Sequence, residues 1–151
     1  MYNRAMSFGH VPFKRQAAAV PFRVLEDGRI EILLIRRKDK PWGVPKGGVD
    51  PGRTLRDTAL NEAAEEAGLH GELLPEPLGE FMYQKQFVEL LVSVYAMRVK
   101  EMDEHFLEED IRERRWVGIE EAVGMVGRKE LQPMIAKVGR MLGEGNHDSE
   151  I

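Results

Sequence analysis

Cysteine is absent from the 151 residues, so disulfides and thiolate metal sites are both excluded. No apolar run approaches the roughly 20 residues needed to span a bilayer, and residues 1–11 lack the apolar middle of a signal peptide. A cytoplasmic protein without membrane association is therefore expected. Excess positive charge is missing as well. The formal net charge is −4, which argues against a general nucleic-acid binder. No internal repeat occurs. What is present, 42% hydrophobic and 32% charged residues, is ordinary for a soluble globular domain, and the length suits one domain with a sizeable core.

Polar or glycine-containing ends bracket that domain. Residues 1–13 read as a flexible arm, 14–142 as the folded unit, and 143–151 as a disordered acidic tail. Ala17 to Leu25 is apolar enough for a buried strand, with Pro21 pointing to an edge position or a bulge. Glu26-Asp27-Gly28 is a hairpin-type turn, Ile30 to Ile35 a branched strand, and Arg36 to Lys40 a basic loop. Glu72 to Leu74 and Gly79 to Tyr83 read as short strands, and Val88 to Val99 as a long buried one. Beyond an acidic loop at 102–110 come a strand at Arg114 to Val117 and a short helix at Ile119 to Val126. Leu131, Ile135, Val138 and Leu142 then repeat at helical spacing. The class is α/β (α+β), with a central mixed sheet covered by helices on both faces.

Residues 46–69 carry the chemistry. A glycine-rich loop, Pro45-Lys46-Gly47-Gly48 and then Asp50-Pro51-Gly52, lets the backbone approach a ligand closely. A helix follows over about Leu55 to Ala67, with Thr54 as N-cap, Asp57 completing a capping-box variant, and Gly68 suited to a left-handed C′ position. Glu62, Glu65 and Glu66 share its last two turns. Like charges at i,i+3 and i,i+4 cost roughly 0.2–0.5 kcal/mol per pair, and the negative end of the dipole adds roughly 0.3–1 kcal/mol. The flanking Thr58, Asn61, Leu69 and His70 offer no lysine or arginine one turn away. Three solvated surface carboxylates are the plain alternative. The preceding loop favours a bound cation instead, and hard ions such as Mg²⁺ take carboxylate and phosphate oxygens.

In this segment the chain resembles the Nudix hydrolases, whose signature reads G-x5-E-x7-R-E-U-x-E-E-x-G-U, with U bulky and aliphatic. Gly47 is the first glycine, Glu62, Glu65 and Glu66 the E-x-x-E-E part, and Gly68-Leu69 the end. Arg53 stands where the family has the first glutamate and Asn61 where it has the arginine, while Ala63 is smaller than usual. The order of elements extends the resemblance over roughly residues 14–142. Arg15-Gln16-Ala17-Ala18, Trp42 to Gly48 and Arg114-Arg115-Trp116-Val117 look most like the diphosphoinositol-polyphosphate and diadenosine-polyphosphate branch.

The resemblance implies an α/β/α sandwich and Mg²⁺-dependent cleavage of a phosphoanhydride bond, with Mn²⁺ able to substitute. It makes Glu62 and Glu66 the main metal ligands, Glu65 a ligand or orienting carboxylate, and the Lys46 carbonyl a backbone ligand. The base is then Glu62, or a loop acid such as Glu108 or Glu109. Arg15, Arg36, Arg37, Lys46 and Lys85 are candidate phosphate cations, and Trp42, Tyr83 and Phe87 candidate stacking residues unless they are core. Two outcomes stay open for the departures. Arg53 either makes a reversed polar link to Asp57, Asn61 or Glu65, or puts positive charge where the cation should sit. The expected substrate is a small phosphoanhydride, and the expected state is monomer or homodimer. The alternatives are a binding module with little catalysis, and a hydrolase of ADP-ribose or nucleoside triphosphates.

Overall fold

A computed structural model describes residues 13–144; the expected N-terminal arm and acidic tail lie almost wholly outside them. Seven strands form one sheet: β1 (Phe13–Val24), β2 (Ile30–Arg36), β3 (Lys46–Gly48), β4 (Leu69–Leu73), β5 (Gly79–Lys85), β6 (Val88–Met102) and β7 (Glu113–Gly118). Helix α1 (Leu55–Ala67) separates β3 from β4, while α2 (Ile119–Met125) and α3 (Leu131–Gly139) follow β7. A short π-helical turn, Arg140–Glu144, ends α3. The mixed sheet flanked by helices agrees with the expected class.

The main path of the sheet is β4-β6-β1-β2-β7. The central pair, β1 and β6, runs parallel, with Ala17 opposite Ser93. Each of these long strands changes neighbour halfway along its outer edge. On β6, Met97 to Met102 meet β4 and Val88 to Val94 meet β5. On β1, Gln16 to Ala18 meet β3 and Phe22 to Val24 meet β2.

That exchange corrects the placement of Pro21. It sits neither on an edge strand nor in a bulge but in the central β1, opposite Met97. Its missing N–H falls in the gap between the stretch paired with β3 and the stretch paired with β2. β3 itself was expected as loop. Two of its three residues are glycine, and only the pairing with β1 makes it a strand.

Period-two alternation sorts the core into two layers. Ala17, Ala19, Leu33, Ile35, Tyr95 and Met97 face α1, where Ala59, Ala63 and Ala67 recur every fourth residue. Alanine against alanine lets this helix lie close to the sheet, which explains why Ala63 is small. Ala18, Val20, Phe22, Ile32, Leu34, Val92 and Val94 point the other way, onto Ala122, Leu131, Ile135 and Val138. Among the described residues no helix is long and apolar enough to cross a membrane.

Candidate active site

Helix α1 starts and stops where local chemistry dictates. The Thr54 hydroxyl accepts from Asp57 N–H at 2.9 Å, and Asp57 Oδ2 accepts from Thr54 N–H at 3.3 Å. Gly68 ends the helix with φ +68°, a left-handed conformation that glycine adopts without strain. Against the helix register, the alanine stripe turns Glu66 inward, where it is 7% exposed, while Glu65 faces solvent and Glu62 is half-buried.

β3 brings the glycine loop onto these carboxylates. Lys46 N–H donates to Glu66 Oε1 at 3.2 Å, so the contact observed between Lys46 and the helix runs through its amide. Gly47 faces α1, and a Cβ there would land on the Glu62 carboxylate. Gly48 closes β3 with open space around it. Burial pushes the Glu62 carboxyl up to about 8, with further upward contributions from hydrogen bonding and repulsion by Glu66, then from Glu65 and Glu108. Glu66 is also raised by burial, against the pull of Glu62, Arg112 and Lys46 N–H. Two carboxylates close together and half out of water share a proton rather than both ionise.

The relief missing from the helix sequence comes from the segment between β6 and β7 and from the start of β7. Arg112 Nη2 lies 3.4 Å from Glu66 Oε2, and its Nε donates to Glu108 Oε1 at 2.9 Å. Arg114 Nη1 donates to the Ala67 carbonyl at 2.7 Å, a cation at the helix C-terminus where the dipole favours one. Backbone bonds pin the same segment to the helix end: Asp103 N–H to Gly68 O at 2.8 Å and Glu108 N–H to Glu65 O at 3.0 Å. The expected loop acids thus have distinct surroundings. Glu108 is held by Arg112, while Glu109 pairs with His105 at 2.9 Å.

Beside this pair lies a cleft of about 570 Å³ between the ends of β2, β3 and β5 and the segment before α3. Arg36, Arg37, Lys40, Lys46, Arg112, Arg128 and Lys129 line it, against one acid, Glu130. None of the three glutamates lines the cleft; Arg112 and Lys46 are the residues that touch both places. Its aromatic walls are already covered by cations. Arg36 lies 4.4 Å over the Trp42 ring and Arg128 5.2 Å over the Phe81 ring; behind the lining, Arg128 also lies 4.3 Å over Tyr83, with Lys46 Nζ 5.3 Å from that ring. Tyr83 also donates to Gln16 Oε1 at 2.9 Å.

Of the expected phosphate cations, Arg36, Arg37 and Lys46 meet at the cleft. Arg15 does not line it: its Nη2 pairs with Glu80 at 3.1 Å and donates to the Ser93 hydroxyl at 2.9 Å. Lys85 is exposed at the end of β5. Phe87 is 86% exposed at the β5–β6 hairpin tip, away from the cleft lining. Arg53 is exposed and Asn61 half-buried, and neither side chain makes a hydrogen bond or ion pair among the described residues. The reversed polar link is therefore not formed, and Arg53 is not among the groups acting on Glu62. Arg112, Arg114 and Arg128 were missed as site residues, because their roles depend on contacts across the fold.

The oxygen-only donors, the paired carboxylates inclined to hold a proton, and a glycine where any Cβ would displace Glu62 fit a hard divalent cation. Against that stands the Glu66–Arg112 ion pair, and among the described residues no three acidic or imidazole groups converge at metal-binding spacing.

Comparison with known proteins places the chain in a family and matches its fold. The NUDIX domain family matches residues 14–138. Nudix hydrolase 4 of Arabidopsis thaliana is 32% identical over 125 residues, which cover 76% of this chain and 60% of that protein. The chain thus spans about three fifths of the length of plant relatives of this kind. Diphosphoinositol polyphosphate phosphohydrolase 2 of Rattus norvegicus is 30% identical over 124 residues, 80% of this chain and 67% of that protein. A crystal structure of a C. elegans Ap4A hydrolase binary complex shares the fold, with a TM-score of 0.72 at 24% identity over 85% of this chain and 97% of that one. The glycine loop, the capped acid helix and the sheet that carries them make this chain a member of the Nudix hydrolase family.

Proposed function

We propose that this chain is a Mg²⁺-dependent pyrophosphohydrolase acting on a substrate that carries several phosphates, either a nucleoside diphosphate linked to a second phosphorylated moiety or a diphosphoinositol-type compound. One observation carries this: a carboxylate pair, Glu66 buried and Glu62 half-buried, stands beside a cleft lined by seven cations and one acid. Glu62 and Glu66 hold the ion, with Glu65 and the Lys46 carbonyl as further oxygen donors. A bound divalent ion neutralises phosphoryl charge and lowers the pKa of water. The chain's own residues do the rest. Arg36, Arg37, Lys46 and Arg128 bind and orient the phosphates, and Glu62 takes the proton from the attacking water. Because cations already cover the cleft's aromatic rings, Trp42 and Phe81, the second moiety is held by charge in preference to base stacking.

A Nudix-fold binding module with weak catalysis is the alternative, favoured by the Glu66–Arg112 ion pair. A panel of dinucleoside polyphosphates, diphosphoinositol phosphates, ADP-ribose and nucleoside triphosphates, read as phosphate or nucleotide release with Mg²⁺ and Mn²⁺, separates the two. Turnover of a polyphosphorylated compound that falls at least about a hundredfold in Glu62→Gln supports hydrolysis, since a base is worth roughly 10²–10⁴. Binding of such compounds without turnover supports the module.

A further inference from the structure

Arg112 is the one cation within ion-pair distance of either inward carboxylate among the described residues, and it also lines the cleft. Its side chain is 17% exposed. The segment that bears it is fastened to the end of α1 by the Glu108 and Asp103 bonds, and the start of β7 that follows it by the Arg114 bond. Its guanidinium is therefore held between two sites that call for opposite occupants. Glu66 is wanted by both Arg112 and an incoming divalent ion. Arg112 is wanted by both Glu66 and an incoming phosphate.

We propose that Arg112 is a positioning residue that exchanges partners: it neutralises Glu66 in the unliganded protein and turns to a substrate phosphate once a divalent ion occupies Glu66. Metal and phosphate then bind with positive cooperativity that this side chain transmits, and linkage requires the effect to be reciprocal. Without ligand the protein is held in a neutralised ground state, so metal alone binds weakly. The guanidinium suits this exchange because its planar fork serves a carboxylate and a phosphate equally well, which a lysine ammonium does not. The proposal rests on the metal-site assignment above, and the test keeps the two apart.

The experiment is calorimetric titration of the whole protein with Mn²⁺, and with methylenediphosphonate as a non-hydrolysable phosphate probe. Wild type, Arg112→Gln, Arg112→Met, Arg112→Lys and Glu66→Gln are compared, each checked for folding by its melt. Arg112→Gln should bind Mn²⁺ alone several-fold more tightly, because a competing cation is gone. At saturating Mn²⁺ the same variant should bind methylenediphosphonate about tenfold more weakly, within the usual range of coupling between sites. Those opposite signs are the signature; a merely structural role weakens both. Arg112→Lys, which keeps the charge but not the fork, should leave Mn²⁺ binding within about twofold and still weaken the diphosphonate; Arg112→Met, which keeps the stem without the charge, should repeat the opposite signs and carries the test should Arg112→Gln not fold. Unchanged or parallel effects overturn the exchange. Mn²⁺ binding that survives Glu66→Gln intact overturns the metal-site assignment instead.

Discussion

Replacing Glu62 with Gln should stabilise the metal-free protein, and the gain should grow with pH. In the fold this carboxyl keeps its proton up to about 8, against an ordinary value of 4.5. A folded value above the unfolded one contributes stability that is fully present below pH 4.5 and is lost as pH rises through about 8. In a fully buried site such a rise would cost about 5 kcal/mol at high pH. Glu62 is only half-buried, and solvent screening reduces the expected cost to about 1–2 kcal/mol. Glutamine keeps the shape and removes the charge, so its gain at pH 9 should be of that size. For a chain of this length that is a rise in Tm of about 2–8 °C. At pH 4, where the carboxyl is neutral in both states, the two proteins should melt together. Thermal and urea melts in chelator from pH 4 to 9 measure the difference. Saturating Mg²⁺ should then favour wild type over the variant, because the ion replaces the proton. A glutamine variant that is less stable at pH 9, or more stable by the same amount at every pH, would refute the account of this carboxyl.

Gly47→Ala puts a methyl group where the Glu62 carboxylate lies, and the far end of that side chain can swing away. Mn²⁺ affinity should fall at least about tenfold while the melt moves by less than about 1 kcal/mol. Because Arg53 and Asn61 make no link, the double change Arg53→Ala with Asn61→Ala should equal the sum of its single changes within about 0.5 kcal/mol in urea melts. Arg114→Ala should cost about 1–2 kcal/mol in the same assay, since it leaves the Ala67 carbonyl unpartnered and uncovers Phe106.

What could be read from sequence followed the range of the forces involved. Helix α1 was legible from end to end because Thr54, Asp57 and Gly68 act within one turn of the residues they cap. The inward set of Ala59, Ala63 and Ala67 likewise follows from helical periodicity. β3 was not legible, because two glycines in three residues carry no strand propensity and only β1 imposes the conformation. Pro21 misled for a related reason: its restriction is local, but its tolerance in the central strand comes from two neighbours changing over beside it. The acid side of the site was written in one helix. Its basic side is assembled from residues 36–46, 112–114 and 128–129, which no spacing rule connects.

The parallel pairing of β1 with β6 also bears on how the site comes into being. Ala17 meets Ser93 only after everything between them has been looped out, including the glycine loop and all of α1. Contacts so distant along the chain make closure slow, and such topologies fold well behind helical bundles. The carboxylates then gather late: β1, β2 and β3 can receive α1 early, but Tyr95 and Met97 complete its layer only when β6 arrives, and Arg112 only once the chain beyond β6 is in place. A nascent chain ending before residue 112 would carry all three glutamates without the arginine that steadies them. Ion capture and folding should consequently finish together, with hydrogen exchange at Glu62–Glu66 reaching its full protection no earlier than exchange across β6.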